Sequence, residues 1–86
     1  MSGSKIAVVT GAGKGIGKAV ATGLAQLGYQ TILVGRNKQN LERVAQEIGS
    51  TAKVLQFDIT DKPAVKEAIA KIVSENGSID ILVNNA

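Results

Sequence analysis

The sequence of 86 residues contains no cysteine and no histidine. These two absences exclude disulfide bonds, thiol nucleophiles and a histidine general base, and they remove the usual zinc ligands, so we expect no metal site. Aromatic residues make up 2 % of the chain, and its net charge of +3 is scattered rather than gathered in a basic run. Nucleic-acid binding is therefore not indicated. No apolar run approaches the ~20 residues of a membrane span, so we expect no membrane association.

What remains is the composition of one small globular domain. Hydrophobic residues make up 44 % of the chain and charged residues 20 %, and the first residues form no apolar signal segment. Such values are typical of a soluble protein, for which we expect a cytoplasmic location. The length allows a single domain over residues 1–86 and leaves no room for a separate substrate-binding domain.

Apolar runs alternate with helical periodicities along the chain. Runs typical of strands that are buried on both faces occupy residues 5–10, 31–34, 52–58 and 79–83. The helices between them have polar caps, with Asn37 before the second and Asp61 before the third, and Pro63 in the first turn of the third. The order βαβαβαβ predicts an α/β fold with a parallel sheet and right-handed crossovers.

Each predicted helix has one apolar face, which we expect to lie against the sheet because its positions recur at intervals of three and four residues. The first two helices are expected to cover one face of the sheet and the third helix the other. The predicted faces are Ile16, Ala19, Val20, Gly23, Leu24 and Leu27 in the first helix, Leu41, Val44, Ala45 and Ile48 in the second, and Val65, Ala68, Ile69, Ile72 and Val73 in the third.

A glycine-rich loop, T-G-A-G-K-G-I-G over residues 10–17, joins the first strand to the first helix. An open α/β sheet binds phosphate-bearing ligands at this position, although a similar loop can also be a simple turn. The P-loop pattern G-x-x-x-x-G-K-[ST] does not fit, because Ala12 replaces its first glycine and Ala19 its hydroxyl. The pattern G-x-G-x-x-G does not fit either, because its third glycine would fall on Ile16.

The spacing that does fit, T-G-x-x-x-G-x-G, resembles the classical short-chain dehydrogenase/reductase family, and the final N-N-A matches the start of that family's N-N-A-G motif after strand four. The resemblance extends over essentially the whole chain. It implies a Rossmann-type domain, incomplete relative to a full family domain, that binds a nicotinamide dinucleotide. The cofactor-binding residues that it implies are Gly11, Gly13, Lys14, Gly15, Ile16 and Gly17 at the pyrophosphate, Asp58 and Ile59 at the adenine, and Asn84 and Ala86 near the ribose. An alternative role for Asp58 is to cap the following helix.

The end of the second strand bears on which nicotinamide cofactor is preferred. NAD-binding units place an acid ~20 residues beyond the glycine loop to accept a hydrogen bond from the ribose 2′-hydroxyl. This chain has Arg36 there, and its first acid is Glu42. Arg36 together with Lys14 can bind a 2′-phosphate, which favours NADP over NAD, although either cation alone is as often a solvated surface charge. The missing acid also disfavours a methyltransferase-like domain.

Family members reduce carbonyls or oxidise alcohols with a Tyr and a Lys spaced Y-x-x-x-K, supported by a Ser and an Asn, all beyond the N-N-A-G segment. Tyr29 is the single tyrosine, and Leu33 stands four residues after it. We therefore expect Tyr29 to be a packing residue and these residues to be the cofactor-binding segment of an NADP(H)-dependent oxidoreductase, with no catalytic residue of their own. The alternative is a free-standing nucleotide-binding module. Strand four would be an apolar edge, which predicts either self-association or that the 86 residues are part of a longer chain.

Overall fold

A computed structural model of the chain describes residues 5–13 and 15–84. Within those residues the chain folds into a parallel sheet of four strands in the order β3-β2-β1-β4, with three helices. The predicted α/β, Rossmann-type fold is thus confirmed. In chain order the elements are β1 (Ile6–Thr10), α1 (Gly15–Gln26), β2 (Gln30–Gly35), α2 (Lys38–Ile48), β3 (Ala52–Gln56), α3 (Lys62–Asn76) and β4 (Ile81–Val83).

The sheet separates two hydrophobic cores. Side chains alternate along β1, so that Val9 faces α1 and α2 while Val8 faces α3. The two central strands are therefore buried on both faces, which explains their unbroken apolar runs. The buried residues of the first core are Val9, Ala12, Ala21, Leu33, Leu41 and Val44. Those of the second core are Ile6, Val8, Ile32, Val34 and Ile72.

The buried face of α1 differs from the one that its periodicity predicts. Gly17 and Ala21 are buried and Leu24 packs against the first core, whereas Ile16 and Leu27 are 73 % and 76 % exposed. Small side chains allow a helix to approach a sheet closely, so α1 turns Gly17 and Ala21 inward. The prediction that Ile16, Ala19 and Leu27 lie on the inner face was wrong, because all three are exposed.

The caps and core positions of the other two helices follow the prediction more closely. The Oδ1 atoms of Asn37 and Asp61 accept hydrogen bonds from the backbone N–H groups of residues 40 and 64, at 3.0 and 3.2 Å. All four predicted positions of α2 pack in the first core. In α3, Ala68 and Ile72 are buried, but Ile69 and Val73 are each 41 % exposed. The predicted face of α3 was therefore too wide.

Two strand boundaries differ from the predicted ones by two residues, and those of β1 and β2 differ by at most one. β3 ends at Gln56 rather than at Asp58, because the carboxylate of Asp58 bonds to Thr60 and starts a turn. β4 begins at Ile81 rather than at residue 79. There, the N–H of Asp80 donates to the carbonyl of Ile6 at 2.9 Å, and a carboxylate oxygen of Asp80 accepts from the N–H of Ile6 at 2.8 Å. The side chain of Asp80 thus replaces one backbone hydrogen bond in the parallel pairing of β1 with β4.

At one edge of the sheet, β4 is paired with β1 alone among the described residues. Leu82, in the middle of β4, is 59 % exposed. Of the helices in residues 5–13 and 15–84, none has the length and apolar character that crossing a membrane requires.

Candidate functional site

The carboxyl ends of the four parallel strands lie along one edge of the sheet. This carboxyl edge runs across the strands and is not the lateral edge that β4 forms. In register, Thr10 pairs with Val34, and Gly35 pairs with Gln56. The segments that follow the strands are therefore neighbours in space. They carry most of the residues that the sequence predicts for the site: the glycine loop after β1, Arg36 after β2, Asp58 and Ile59 after β3, and Asn84 after β4.

The glycine loop has a backbone that requires glycine at two positions. Gly11 and Gly15 have φ angles of 62° and 63°, in the left-handed region that side chains disfavour. A Cβ atom on Gly13 would lie 3.1 Å from the Cβ of Asn40, so the loop lies directly against α2. The N–H of Ala12 donates to the carbonyl of Val34 at 3.2 Å and ties the loop to β2.

Helix α1 begins at Gly15, and its first turn contains no acidic residue. The first N–H groups of a helix have no acceptor within the helix, and the helix dipole gives this end a partial positive charge. An anion can therefore bind here through backbone groups alone. Gly15 and Ile16, the first two residues of the helix, are exposed. Lys14, also predicted for this site, lies outside the described residues.

Arg36 follows the last residue of β2 and is exposed. Its backbone carbonyl accepts a hydrogen bond from Nε2 of Gln56 at 2.9 Å. The next residue, Asn37, caps α2. The backbone of Arg36 is thus held on both sides, and its charged side chain is near enough to Asp58 to act on that carboxylate.

Asp58 lies in the turn after β3 and is partly exposed. Its Oδ1 atom accepts two hydrogen bonds from Thr60, from the backbone N–H at 2.9 Å and from the hydroxyl at 2.7 Å. These bonds, backbone first, lower the pKa of Asp58 below its ordinary value, and the positive charge of Arg36 adds to the effect. Asp58 does not cap α3, because Asp61 does. The alternative role considered from the sequence was therefore wrong.

Asn84 follows β4 and contacts the end of β1. The hydroxyl of Thr10 lies 3.3 Å from Oδ1 of Asn84 and 3.3 Å from the carbonyl oxygen of Val83, and can donate to either. β4 is thus linked to β1 at the residue that precedes the first glycine of the loop. Ala86, predicted with Asn84, lies outside the described residues.

An apolar hollow of about 210 Å³ lies between α3 and the sheet, beside Asn84. Val34 and Ile59 form part of its wall, and Thr10 and Asn84 are the polar residues that line it. The arrangement can hold an anion at α1, a flat apolar group near Ile59 and a second anion near Arg36. In the described part of the chain, no group of acidic residues is placed to hold a metal ion.

Sequence reasoning missed Gln56 and Thr60 at this edge, and it placed Thr10 in the glycine motif without foreseeing its contact with Asn84. Each of the three forms a hydrogen bond with a neighbouring site residue. The only signal for them is that polar side chains stand at or just after the ends of strands. Such side chains often bond to nearby backbone, and the sequence does not show which one.

Comparison with known proteins identifies the family. A sequence profile described as short chain dehydrogenase matches residues 5–86. An uncharacterized oxidoreductase of Staphylococcus epidermidis is 45 % identical over 82 residues, which are 95 % of this chain and 36 % of the relative. The chain thus spans about a third of the length of the curated relatives that it matches.

Two solved structures have the same fold. A metagenomic short-chain oxidoreductase in complex with NADP superposes with a TM-score of 0.92 at 37 % identity, over 100 % of this chain and 41 % of that one. A 3-ketoacyl-(acyl-carrier-protein) reductase from Brucella melitensis, complexed with NADH, has a TM-score of 0.89 at 41 % identity, over 100 % and 36 %. Profile, relatives and structures agree, and the chain belongs to the short-chain dehydrogenase/reductase family of oxidoreductases.

Proposed function

We propose that these residues form the cofactor-binding segment of an NADP(H)-dependent oxidoreductase that reduces carbonyls or oxidises alcohols. The observation that carries this proposal is that the glycine loop, Arg36 and Asp58 lie close together at the carboxyl ends of the strands. Similar structures hold NADP and NADH. In the proposed mode, the pyrophosphate lies on the N-terminus of α1, with the adenine beside Asp58 and Ile59.

The residues near this edge bind and orient the cofactor, and the cofactor supplies the hydride chemistry. The left-handed backbone at Gly11 and Gly15 lets the loop turn so that the N–H groups of α1 face the pyrophosphate. Asp58 is charged at neutral pH and accepts a hydrogen bond from the adenine amino group through its carboxylate. Asn84, through its contact with Thr10, braces the strands near the cofactor ribose.

The preference for NADP rests on charge at the end of β2. Arg36 follows β2 directly, and no acidic residue precedes Glu42 in the sequence. A 2′-phosphate near Arg36 therefore meets a forked donor and no carboxylate from β2. The carboxylate of Asp58 is a nearby negative charge, and its Oδ1 atom already accepts two hydrogen bonds from Thr60.

The test is Arg36→Asp, with NADPH and NADH titrated against the intact protein. An Asp at this position repels a 2′-phosphate and accepts from a 2′-hydroxyl, so we expect NADPH binding to weaken by ~100-fold and NADH binding to improve. The matched control is Arg43→Asp, on the exposed surface of α2. An unchanged ratio of the two affinities in Arg36→Asp would remove the basis for the 2′-phosphate assignment.

We further propose that hydride transfer requires residues other than those described. Tyr29 stands before β2, at the opposite edge of the sheet from the glycine loop, and is half-buried there. It therefore cannot donate a proton to a substrate beside the cofactor. A polypeptide of the 86 residues is expected to bind NADPH without reducing a carbonyl compound, as the alternative of a nucleotide-binding module also predicts. Carbonyl reduction by the intact protein separates the two.

A further inference from the structure

Gln56, the last residue of β3, makes a contact that the binding site described above does not explain. Its Nε2 donates to the backbone carbonyl of Arg36 at 2.9 Å, across twenty residues of sequence. Gln56 is exposed and pairs in register with Gly35, the last residue of β2. Its side chain therefore reaches one residue past the end of its partner strand.

This contact lies where the ladder between β2 and β3 stops. The last backbone rung is the bond from the N–H of Phe57 to the carbonyl of Gly35, at 3.0 Å. On the other side of Arg36, Asn37 is fixed as the cap of α2. Gln56 thus supplies a donor to the carbonyl of Arg36 between these two fixed points.

Fixing the backbone of Arg36 affects what its side chain can do. An arginine that binds a phosphate loses conformational freedom, and the loss is smaller when the backbone that carries the side chain is already held. We propose that Gln56 is a positioning residue that strengthens discrimination between a 2′-phosphate and a 2′-hydroxyl by holding the backbone of Arg36. The inference rests on the proposed role of Arg36.

The first test is Gln56→Met in the intact protein, which keeps the length of the side chain and removes the donor. A single net hydrogen bond corresponds to about a three- to tenfold change in affinity. We expect Kd for NADPH to rise by about that factor and Kd for NADH to change less than about twofold. Gln46→Met, on the exposed face of α2, is the matched control and is expected to change neither.

A coupling experiment tests whether Gln56 acts through Arg36. In the Arg36→Ala background, Gln56→Met is expected to cause no further loss of NADPH affinity, because the group that it positions is gone. Circular dichroism verifies that each variant is folded. If Gln56→Met is not folded, Gln56→Asn is used instead. The shorter side chain of asparagine places the amide away from the carbonyl of Arg36.

The outcomes distinguish the inference from the proposed function. Equal weakening of NADPH and NADH binding in Gln56→Met, or no weakening, overturns the inference while leaving the role of Arg36 intact. A further loss in the Arg36→Ala background also overturns it. If Arg36→Ala itself leaves the ratio of NADPH to NADH affinity unchanged, the proposed preference for NADP fails, and the inference fails with it.

Discussion

Thr60 donates two hydrogen bonds to one carboxylate oxygen of Asp58, from its backbone N–H at 2.9 Å and from its hydroxyl at 2.7 Å. Among the described residues, no hydrogen bond involves the other oxygen of Asp58. Thr60 therefore fixes the orientation of the carboxylate that we propose as the adenine contact. A residue two positions along the chain thus orients the group that we propose for adenine recognition.

Thr60→Val tests this relationship by removing the hydroxyl bond and keeping the backbone bond. Because the adenine is common to both cofactors, we expect the affinities for NADPH and NADH to fall together, by about two- to fivefold. Thr60→Ser keeps the hydroxyl and is expected to bind as the unsubstituted protein does. Calorimetric titration measures the affinities for NADPH and NADH in the unsubstituted protein and in the two variants. A loss confined to NADPH would contradict this role.

The lowered pKa of Asp58 predicts a pH dependence at acid pH. An unfolded Asp titrates near ~3.9, and the bonds from Thr60 move the folded pKa below that value. The carboxylate therefore stabilises the fold fully above the unfolded pKa, and this contribution is lost as pH falls through the folded pKa. In Thr60→Val, we expect the NMR titration midpoint of Asp58 to rise toward the ordinary value. An unchanged midpoint would show that the hydroxyl is not a cause.

The order of the elements and the location of the site were predictable because they depend on patterns that many residues share. The apolar runs of β1 and β2 and the caps Asn37 and Asp61 are read directly from the sequence. In a parallel sheet, all strand ends meet at one edge, so placing the strands also places the glycine loop beside Arg36 and Asp58.

The features that were not predictable depend on single contacts. The inner face of α1 is set by the small residues Gly17 and Ala21 rather than by the larger apolar Ile16 and Leu27. The start of β4 depends on one carboxylate, that of Asp80, which occupies a backbone position of the ladder. No periodicity indicates that a polar side chain will replace a backbone group.

Asp80→Ala is expected to destabilise the sheet where β4 joins β1. Ile6 is almost fully buried, and Asp80→Ala leaves its N–H without the carboxylate acceptor, at a cost of about 1–3 kcal/mol in the free energy of unfolding. Asp80→Asn keeps an acceptor oxygen and should lose less. Urea unfolding measures the difference, with Glu75→Ala on the exposed surface of α3 as the control. Equal stability of Asp80→Ala and Glu75→Ala would argue against this role.

Two glycines of α1 are expected to respond oppositely to alanine. Gly15 has a φ angle of 63°, so Gly15→Ala strains the loop by about 1–2 kcal/mol and is expected to weaken binding of both cofactors. Gly23 lies inside α1, and a Cβ atom there would meet nothing within 4 Å. Gly23→Ala is therefore expected to stabilise the protein by about 0.5–1 kcal/mol. Thermal unfolding measures the stability of both variants, and cofactor titration measures binding by Gly15→Ala. Destabilisation by both substitutions would contradict the expected difference.

The exposed edge at β4 predicts that a polypeptide of the 86 residues self-associates. β4 is bonded on the side of β1 only among the described residues, and Leu82 is 59 % exposed beside the apolar hollow under α3. An unpaired apolar strand edge is a template for pairing with another chain. Size-exclusion chromatography with light scattering should therefore show dimers or larger species, whose proportion falls in Leu82→Lys because a charge on this strand disfavours pairing. Leu27→Lys, at an apolar position that is 76 % exposed near the amino edge of the sheet, is the control. If the unsubstituted chain is a monomer at high micromolar concentration, the predicted self-association does not occur. If Leu27→Lys disperses the assemblies as well as Leu82→Lys does, they do not form through β4.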